Sequence, residues 1–397
     1  MVIHSPTQPP SPTAPTTAHG GLVVGNYCHD VLIRDHHVTA HALGGAPSFI
    51  IPVLHSLSLP FLLLSKVGSD FSYSSATTTT TLHPPIVVST SQTTVFHAHF
   101  LSATPDTTSL PPSGHPDRIL KRVGSCDPIT PSDLPSNSLF LFGLAVGVAG
   151  EILPETLQTM LDLCDVVFVD AQAIIRTFDP EDGTVSLVNL NETGFFHLLP
   201  RIAFLKCSAE EAIFVDIEEA RKWCCVVVTC GRHGCEVFWK DGELKVPPFA
   251  ADQVDPTGAG DSFLGGFAAG IVMGLGVWDA ALLGNFFGSL AVAQVGPPKL
   301  DAKLFQVVKD EMQKRKIQDF PCLERRGDWL GFRESPDQDQ FYESLAATKT
   351  VVMSQIQEPD WNLVSSPKES AEQNNSKAKL PLNYVREEPI PSCDGKP

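Results

Sequence analysis

Short apolar runs recur through the first part of the chain, and segments with a helical spacing of apolar positions lie between them. The runs that predict buried strands are 21–25, 61–66, 138–142, 165–170, 203–206 and 224–229. Helical spacing is found in 154–163, 208–217 and 217–223. Strands that alternate with helices predict βαβ units, so we expect a mostly parallel sheet covered by helices on both faces.

Two segments break this alternation. Residues 31–41 and 86–101 have β-rich, more alternating patterns, and no helix of normal length separates their strands. We predict that these segments form a small sheet that projects from the main one as a lid.

The two ends of the chain have a different character from its middle. Residues 1–20 are rich in Pro, Thr and Ser and have no apolar period, so we predict that they are disordered. Polar residues also dominate 317–397, which we predict to be mostly disordered, with a short helix near 340–347. The predicted folded domain therefore spans 21–316.

Composition narrows the classes of function. The chain has 397 residues, 43% of them hydrophobic, and a formal net charge of −17, which argues against binding to nucleic acid or to an anionic membrane. No apolar run reaches the roughly 18 residues of a membrane span. Ten scattered cysteines without a Cys-x-x-Cys pair favour a reduced compartment, and no targeting peptide is evident. We expect a cytoplasmic protein that acts on small molecules.

The most specific string in the chain is Asp255-Pro-Thr-Gly-Ala-Gly-Asp261, and an apolar, small-residue helix is predicted over 262–273. Small side chains at 258–260 leave their backbone N–H groups accessible, and helix N-termini bind phosphates. Asp261 would then stand beside a bound phosphate, an arrangement suited to moving a phosphoryl group onto a hydroxyl. The alternative is a Gly-rich turn before a buried helix, with Asp261 as an ordinary first-turn acid.

This string resembles the second signature of the pfkB (ribokinase-like) carbohydrate kinases, Asp-Thr-x-Gly-Ala-Gly-Asp, with Pro256 as the one departure. Further strings resemble the family's pattern in the right order from about residue 21 to 316. The opening Gly25-Asn-Tyr-Cys-His-Asp30 and the turn Gly44-Gly45-Ala46 resemble its plant-type inositol kinase branch. The resemblance implies an α/β fold of the ribokinase-like kind: a three-layer α/β/α sandwich with a mostly parallel central sheet and a small β-sheet lid.

On the acceptor side, the resemblance implies that Asp30 binds the substrate, since a carboxylate accepts hydrogen bonds from adjacent hydroxyls. A turn-forming acid is the alternative. Gly44 and Gly45 would let the backbone approach the substrate, and Ser48 stands near the place where the family often has Asn. A plain loop before a helix would explain that segment equally well.

On the donor side, Ser208-Ala-Glu-Glu211 resembles the family's Asn-x-x-Glu motif. The resemblance implies that Glu211, or failing that Glu210, orients waters around a Mg²⁺ ion bound to phosphate. Ser208 and Glu211 also fit a helix capping box. Thr229-Cys-Gly-Arg-His-Gly234 resembles the nucleotide loop, although a β-hairpin turn fits it too. The implied ATP-binding residues are Ser208, Thr229, Gly231, Gly234, Asp255, Thr257, Gly258, Ala259, Gly260 and Asn285.

The resemblance also implies roles in catalysis. Asp261 would be the base, and the amides of Gly258, Ala259 and Gly260 would hold the γ-phosphate of ATP. Overall similarity favours myo-inositol as acceptor; another sugar or nucleoside, or a non-catalytic role, is the alternative. We expect Mg²⁺ with ATP, room for a monovalent cation, and a monomer or a homodimer formed through the lid. The histidines do not have the spacing of a zinc site.

Overall fold

The computed structural model describes residues 16–17, 20–73, 78–100, 118–136, 138–316 and 337–355. All of them belong to one compact unit, Met1–Pro359. The disorder predicted for residues 1–20 and 317–397 falls largely outside the described residues.

Seventeen strands occur in the described residues. They are β1 (Thr16–Thr17), β2 (Gly21–Val24), β3 (Cys28–Arg34), β4 (His37–Gly44), β5 (Phe61–Leu64), β6 (Lys66–Gly68), β7 (Ile86–Val88), β8 (Thr94–Phe100), β9 (Arg118–Gly124), β10 (Ser138–Ala145), β11 (Cys164–Asp170), β12 (Arg176–Phe178), β13 (Val185–Leu187), β14 (Phe204–Ser208), β15 (Cys225–Thr229), β16 (Cys235–Trp239) and β17 (Gly242–Val246).

Ten α-helices lie between and after these strands in the same described ranges. They are α1 (Ala46–Ser56), α2 (Thr78–Leu82), α3 (Pro154–Leu163), α4 (Gln172–Ile175), α5 (Ala212–Val215), α6 (Ile217–Ala220), α7 (Ala259–Val272), α8 (Val277–Ala291), α9 (Gln306–Arg315) and α10 (Gln338–Gln355). Short 3₁₀ turns occupy Pro131–Asp133, Leu190–Glu192, Phe196–Arg201 and Gly231–His233.

The main sheet is mostly parallel, as predicted. Its strand order is β17-β16-β15-β14-β11-β10-β2-β5, and β1 pairs with β10. Among the described pairings of this sheet, only β15–β16 and β16–β17 are antiparallel. Alternate residues of each strand enter opposite cores: Val166 and Phe168 pack with α7 and α8, whereas Val167 and Val169 pack with α3. The predicted three-layer α/β/α architecture is therefore confirmed.

The predicted strands appear close to their predicted bounds, but two segments differ. The run 61–66 is divided between β5 and β6, and β6 pairs with β7 instead of joining the main sheet. The helix predicted over 208–217 is reduced to the short α5. Strand β14 continues to Ser208, and Asp216, in a left-handed conformation at φ 53°, ends α5 and caps α6.

The lid predicted from 31–41 and 86–101 is present as a separate four-stranded sheet with the order β4-β3-β8-β9. Residues 86–88 are not part of it, because β7 pairs with β6. Strand β9 was not predicted; it completes the sheet by pairing antiparallel with β8. The lid thus has one more strand than the sequence pattern indicated.

The packed part of the chain continues past residue 316, where the predicted domain ends. Helix α10 is longer than the helix expected near 340–347. Its Phe341, Leu345 and Val352 are almost fully buried in the same core as α8. Their spacing of four and seven residues places them on one helical face, so α10 is an integral layer of the fold.

Candidate active site

The turn before α7 positions the most specific motif of the sequence. Gly258 is the N-cap residue with φ 75°, and a Cβ there would overlap the buried ring of Phe49. The Asp255 carboxylate, itself 7% exposed, accepts a hydrogen bond from the Thr257 N–H at 2.9 Å and so shapes the turn. Asp261 consequently lies in the first turn of α7, beside the N–H groups of the helix start, of which that of Ala259 donates to the Pro256 carbonyl at 3.3 Å.

Asp261 lines a cavity between the lid and the carboxyl ends of the central strands. The polar side chains around this cavity are Asp30, Arg118, Gln172, Arg176, Thr257 and Asp261. Gln172 Nε2 donates to Asp261 Oδ1 at 3.1 Å and orients the carboxylate. Burial raises the pKa of Asp261, and the charges of Lys206 and Arg176 oppose that rise. A carboxylate with a raised pKa is a stronger base than an exposed one.

A buried ion pair lies directly under this turn. Lys206 Nζ, in the middle of β14, is 3.0 Å from Asp170 Oδ2, at the end of β11, and the side chains are 6% and 0% exposed. A Cβ on Gly260 would come within 2.7 Å of the ammonium, so the glycine lets the chain approach this charge. Burial raises the pKa of Asp170 to about 6 even though Lys206 lowers it.

On the acceptor side, Asp30 projects from β3 into the cavity, as predicted. Gly44 on β4 pairs with Cys28, two residues before Asp30, and a Cβ at Gly44 would overlap the Asp30 carboxylate. Burial raises the pKa of Asp30 to about 7; Arg118 opposes this effect, and Asp255 and Asp261 add to it. Asp30 can therefore accept hydrogen bonds from hydroxyls when ionised and donate one when protonated.

Gly45 lines the cavity too, whereas Ser48 does not. Gly45 has φ 82°, and a Cβ there would overlap the carbonyl oxygen of Asn26. Ser48 is fully buried in the first turn of α1, and its hydroxyl donates to the Gly45 carbonyl at 2.7 Å. The prediction that Ser48 contacts the substrate is corrected accordingly: its hydroxyl is used to hold the turn that presents Gly45.

Apolar side chains form the rest of the cavity wall. The inner face of the lid supplies Leu32, Phe96, Ala98 and Leu120, and the main domain supplies Ala46, Phe49 and Val148. The cavity thus offers flat apolar surface beside a rim of charged and amide groups. Such a lining suits a ring that has C–H faces and hydroxyls at its edge.

Ser208 and Glu211 form the capping box that the sequence allowed. The Ser208 N–H donates to Glu211 Oε2 at 2.8 Å, and the Glu211 N–H donates to the Ser208 hydroxyl at 3.2 Å. Glu211 is 6% exposed, and its charge contributes to the electrostatics of Asp170, Lys206 and Asp261. The capping box therefore fixes a carboxylate close to the buried ion pair.

The loop after β15 forms the β-hairpin turn that the sequence allowed as the alternative, with Thr229 paired to Cys235 across the two strands. Gly231 and Gly234 have φ values of 52° and 87°. Space around Gly231 is open, whereas Gly234 lies so close to the Val246 carbonyl that a Cβ would overlap it. The Thr229 hydroxyl donates to the Cys207 carbonyl at 3.3 Å. A hairpin with one open glycine is compatible with a nucleotide loop.

Asn285, predicted to border the adenine, lies on α8 and is 9% exposed. Its Nδ2 donates to the carbonyls of Val246 at 3.2 Å and Pro247 at 2.9 Å. The side chain therefore fixes the chain directly after β17, next to the Gly234 loop.

Several charged or polar groups of the site were missed from the sequence. They are Arg118, Gln172, Arg176, Lys206 and Asp170. Arg118 donates to the Thr257 hydroxyl at 2.7 Å and so connects lid strand β9 with the turn before α7. For Asp170 and Lys206, position in the chain was the signal that could have identified them. Both residues end predicted buried strands, and α/β proteins bind their ligands at the carboxyl ends of such strands.

Comparison with known proteins identifies the family to which the chain belongs. The profile described as pfkB family carbohydrate kinase matches residues 187–301. Inositol 3-kinase of Arabidopsis thaliana is 53% identical to this chain over 337 residues, which cover 85% of this chain and 89% of that protein. The chain belongs to the pfkB family of carbohydrate kinases. Inositol 3-kinase of Zea mays is 49% identical to this chain over 351 residues, which cover 86% of this chain and 89% of that protein.

Solved structures of pfkB family kinases share the fold at low identity. A pyrophosphate-dependent kinase in the ribokinase family, solved as a sulfate complex, matches with a TM-score of 0.56 at 16% identity, covering 71% of this chain and 98% of that one. Methanocaldococcus jannaschii nucleoside kinase matches with a TM-score of 0.53 at 17% identity, covering 76% and 99%. The predicted ribokinase-like fold is confirmed.

Proposed function

We propose that this pfkB family kinase is a phosphotransferase with an alcohol acceptor, which transfers the γ-phosphoryl group of ATP to a hydroxyl of myo-inositol. One observation carries the proposal: two carboxylates, Asp30 and Asp261, face one cavity that also opens onto the N-terminus of α7. Relatives named inositol 3-kinase, about half identical over most of their length, support this acceptor and the 3-position.

Asp30 binds the acceptor in this mechanism. Its carboxylate accepts hydrogen bonds from two neighbouring hydroxyls, while Leu32, Phe96 and Leu120 contact the C–H face of the ring. Gly44 and Gly45 leave the space that this contact needs. The binding free energy of the ring then positions one hydroxyl against Asp261.

Asp261 accepts the proton of the attacking hydroxyl as that oxygen bonds to the γ-phosphorus. Its buried setting raises its pKa, which strengthens the base, while the charges of Lys206 and Arg176 oppose that rise. The N–H groups of Gly258, Ala259 and Gly260 hold the γ-phosphate oxygens, and the helix dipole of α7 stabilises their charge. Catalysis is therefore mainly positioning and charge stabilisation.

The donor lies along the carboxyl ends of β14 and β15 in this proposal. The open space around Gly231 leaves room for the phosphates beside Thr229 and Gly234, and Asn285 supports the adenine side. Asp255 shapes the turn that carries Thr257 toward the same phosphates. Ser208 contributes through the capping box that holds Glu211.

Kinases of this family use ATP with a divalent cation, and we propose Mg²⁺, with room for a monovalent cation. Within the described residues, no group of three or more His, Cys, Asp and Glu side chains is placed to hold a metal. Mg²⁺ keeps most of its waters and needs only phosphates and one or two carboxylates from its site. Glu211 would hold the ion through water, and the ion would supply positive charge that neutralises the phosphates.

None of the helices in the described part of the chain combines the length and apolarity needed to cross a bilayer. We propose that the protein works in the cytoplasm, as a monomer or as a homodimer paired through the lid. Its net charge of −17 supports the absence of nucleic-acid and anionic-membrane partners.

The proposal is tested by measuring ADP release with myo-inositol, ribose, fructose and adenosine as acceptors. Highest kcat/KM on myo-inositol, with the 3-phosphate as product by NMR, is the expected result. A higher kcat/KM on a sugar or a nucleoside would show that the proposed acceptor is wrong, while the proposed phosphoryl transfer would stand. Nucleotide binding without turnover on any acceptor would favour a non-catalytic protein.

A further inference from the structure

Residues 247–254 link the two loops to which the proposed function assigns ATP, and we call them the connecting segment. The segment starts after β17, beside the Gly234 turn, and ends at Asp255, where the motif before α7 begins. It has no helix or strand, and Pro247 and residues 250–254 are exposed. An exposed irregular segment of this kind holds one conformation only where other elements fix it.

The two ends of the connecting segment are fixed by α8. Asn285 donates to the Val246 and Pro247 carbonyls, while the N–H groups of Val254 and Asp255 donate to the Val292 carbonyl at 2.7 and 3.1 Å. These contacts belong to the core of the fold. In the part of the chain that the structure describes, no backbone–backbone hydrogen bond is formed by the middle of the segment, residues 248–250.

Helix α10 supports the middle of the segment. The Tyr342 hydroxyl donates to the Pro248 carbonyl at 3.1 Å, and Lys349 Nζ donates to the Ala250 carbonyl at 2.5 Å. Between them the Phe249 ring stacks on Tyr342, with centroids 4.6 Å apart and planes 7° apart, and meets Phe286 edge-on. Phe249 is 6% exposed, so α10 and α8 enclose it from two sides.

We propose that α10 is a brace for the donor site, and that Tyr342 and Lys349 are positioning residues for ATP. Their contacts fix Phe249 and its neighbours, and through them the Val246–Pro248 backbone against which Gly234 packs. The same contacts set the path of the chain into Asp255. The inference rests on the proposed function, since it assumes that ATP lies on the Gly234 loop and the motif before α7.

Binding of the acceptor provides the comparison that tests the role of α10. Asp30, Arg118 and the lid lie on the cavity that α10 does not line. Loss of the brace is therefore expected to weaken ATP and to leave myo-inositol binding unchanged. A helix that only contributed to overall stability would not separate the two substrates.

The experiment compares full-length variants Tyr342→Ala, Tyr342→Phe and Lys349→Met with Glu343→Gln, an exposed residue of the same helix, as control. Each lost hydrogen bond is expected to raise the KM for ATP about three- to tenfold. Tyr342→Ala, which also loses the ring stack, should exceed Tyr342→Phe. Calorimetric Kd values for a non-hydrolysable ATP analogue should rise in the same order, while the KM for myo-inositol and the control stay unchanged.

Two outcomes would overturn the brace: an unchanged nucleotide Kd in folded Tyr342→Ala and Lys349→Met, or an equal rise in KM for both substrates. If Tyr342→Ala is unfolded at the assay temperature, Tyr342→Phe decides the question, because it retains the stack and removes only the bond to Pro248. Wild-type protein that binds the analogue without phosphorylating myo-inositol contradicts the proposed function and leaves the binding comparison valid.

Discussion

Replacement of Lys206 by Met tests the electrostatics of the site. The substitution keeps much of the aliphatic volume and removes the ammonium that lies 3.0 Å from Asp170 and under Gly260. Asp170 is fully buried, so water cannot take the place of the lost partner. Removal of one partner of a buried ion pair costs about 3–5 kcal/mol of folding free energy, since the remaining charge is uncompensated.

The pKa of Asp170 determines how large the loss of folding free energy is in Lys206→Met. That pKa is already about 6 with Lys206 present, because burial outweighs the ion pair. Without Lys206 it rises further, and Asp170 takes up a proton near pH 7 instead of remaining charged. We therefore expect a loss of about 3 kcal/mol near neutral pH. The double variant Asp170→Asn/Lys206→Met, which removes both charges, should recover most of it.

Urea denaturation at pH 7 measures these free energies of unfolding. Lys222→Met is the matched control, because Lys222 pairs with Glu219 on the surface and should change stability little. A loss below about 1 kcal/mol for Lys206→Met, or a double variant less stable than the single one, would refute the reasoning.

The same variant has a kinetic consequence with a defined sign. Lys206 lowers the pKa of Asp261, so its removal raises that pKa. Asp261 acts as a base only when ionised, and activity is therefore present above its pKa. The acidic limb of the kcat profile should move to higher pH in Lys206→Met. An unmoved limb would show that Lys206 does not act on the catalytic base.

Three further predictions concern Asp30 and the capping box. Asp30→Asn should raise the KM for myo-inositol far more than that for ATP; an equal rise would contradict its role. The same variant should flatten the stability curve between pH 3.8 and about 7, because the raised pKa of Asp30 makes the folded protein lose stability across that window as pH rises. Ser208→Ala should cost about 0.5–2 kcal/mol in urea denaturation, since it removes a cap on the Glu211 N–H.

The parts of the fold and site that sequence predicted are those encoded locally. Strands such as 165–170 are contiguous apolar runs, and the string from Asp255 to Asp261 carries its turn, its helix start and its acid within seven positions. In each case the residues that determine the geometry are neighbours in the chain.

The parts that sequence missed depend on contacts between distant segments. Lys206 and Asp170 are 36 residues apart, and only the register of β11 beside β14 brings them together. Ser48 was expected to contact the substrate, but its side chain points elsewhere. The direction of that side chain on α1 is set by packing, which the local sequence does not encode. Helix α10 was underestimated because its overall composition is polar, although Phe341, Leu345 and Val352 repeat at helical spacing.

The most direct test of the central claim is steady-state phosphorylation of myo-inositol by Asp261→Asn. The amide is nearly isosteric and retains an oxygen to accept from Gln172, so the fold and the calorimetric affinity for ATP should persist. It cannot accept the hydroxyl proton, and we predict that kcat falls by roughly 10²–10⁴-fold. An Asp261→Asn protein that turns over myo-inositol at the wild-type rate would contradict the account.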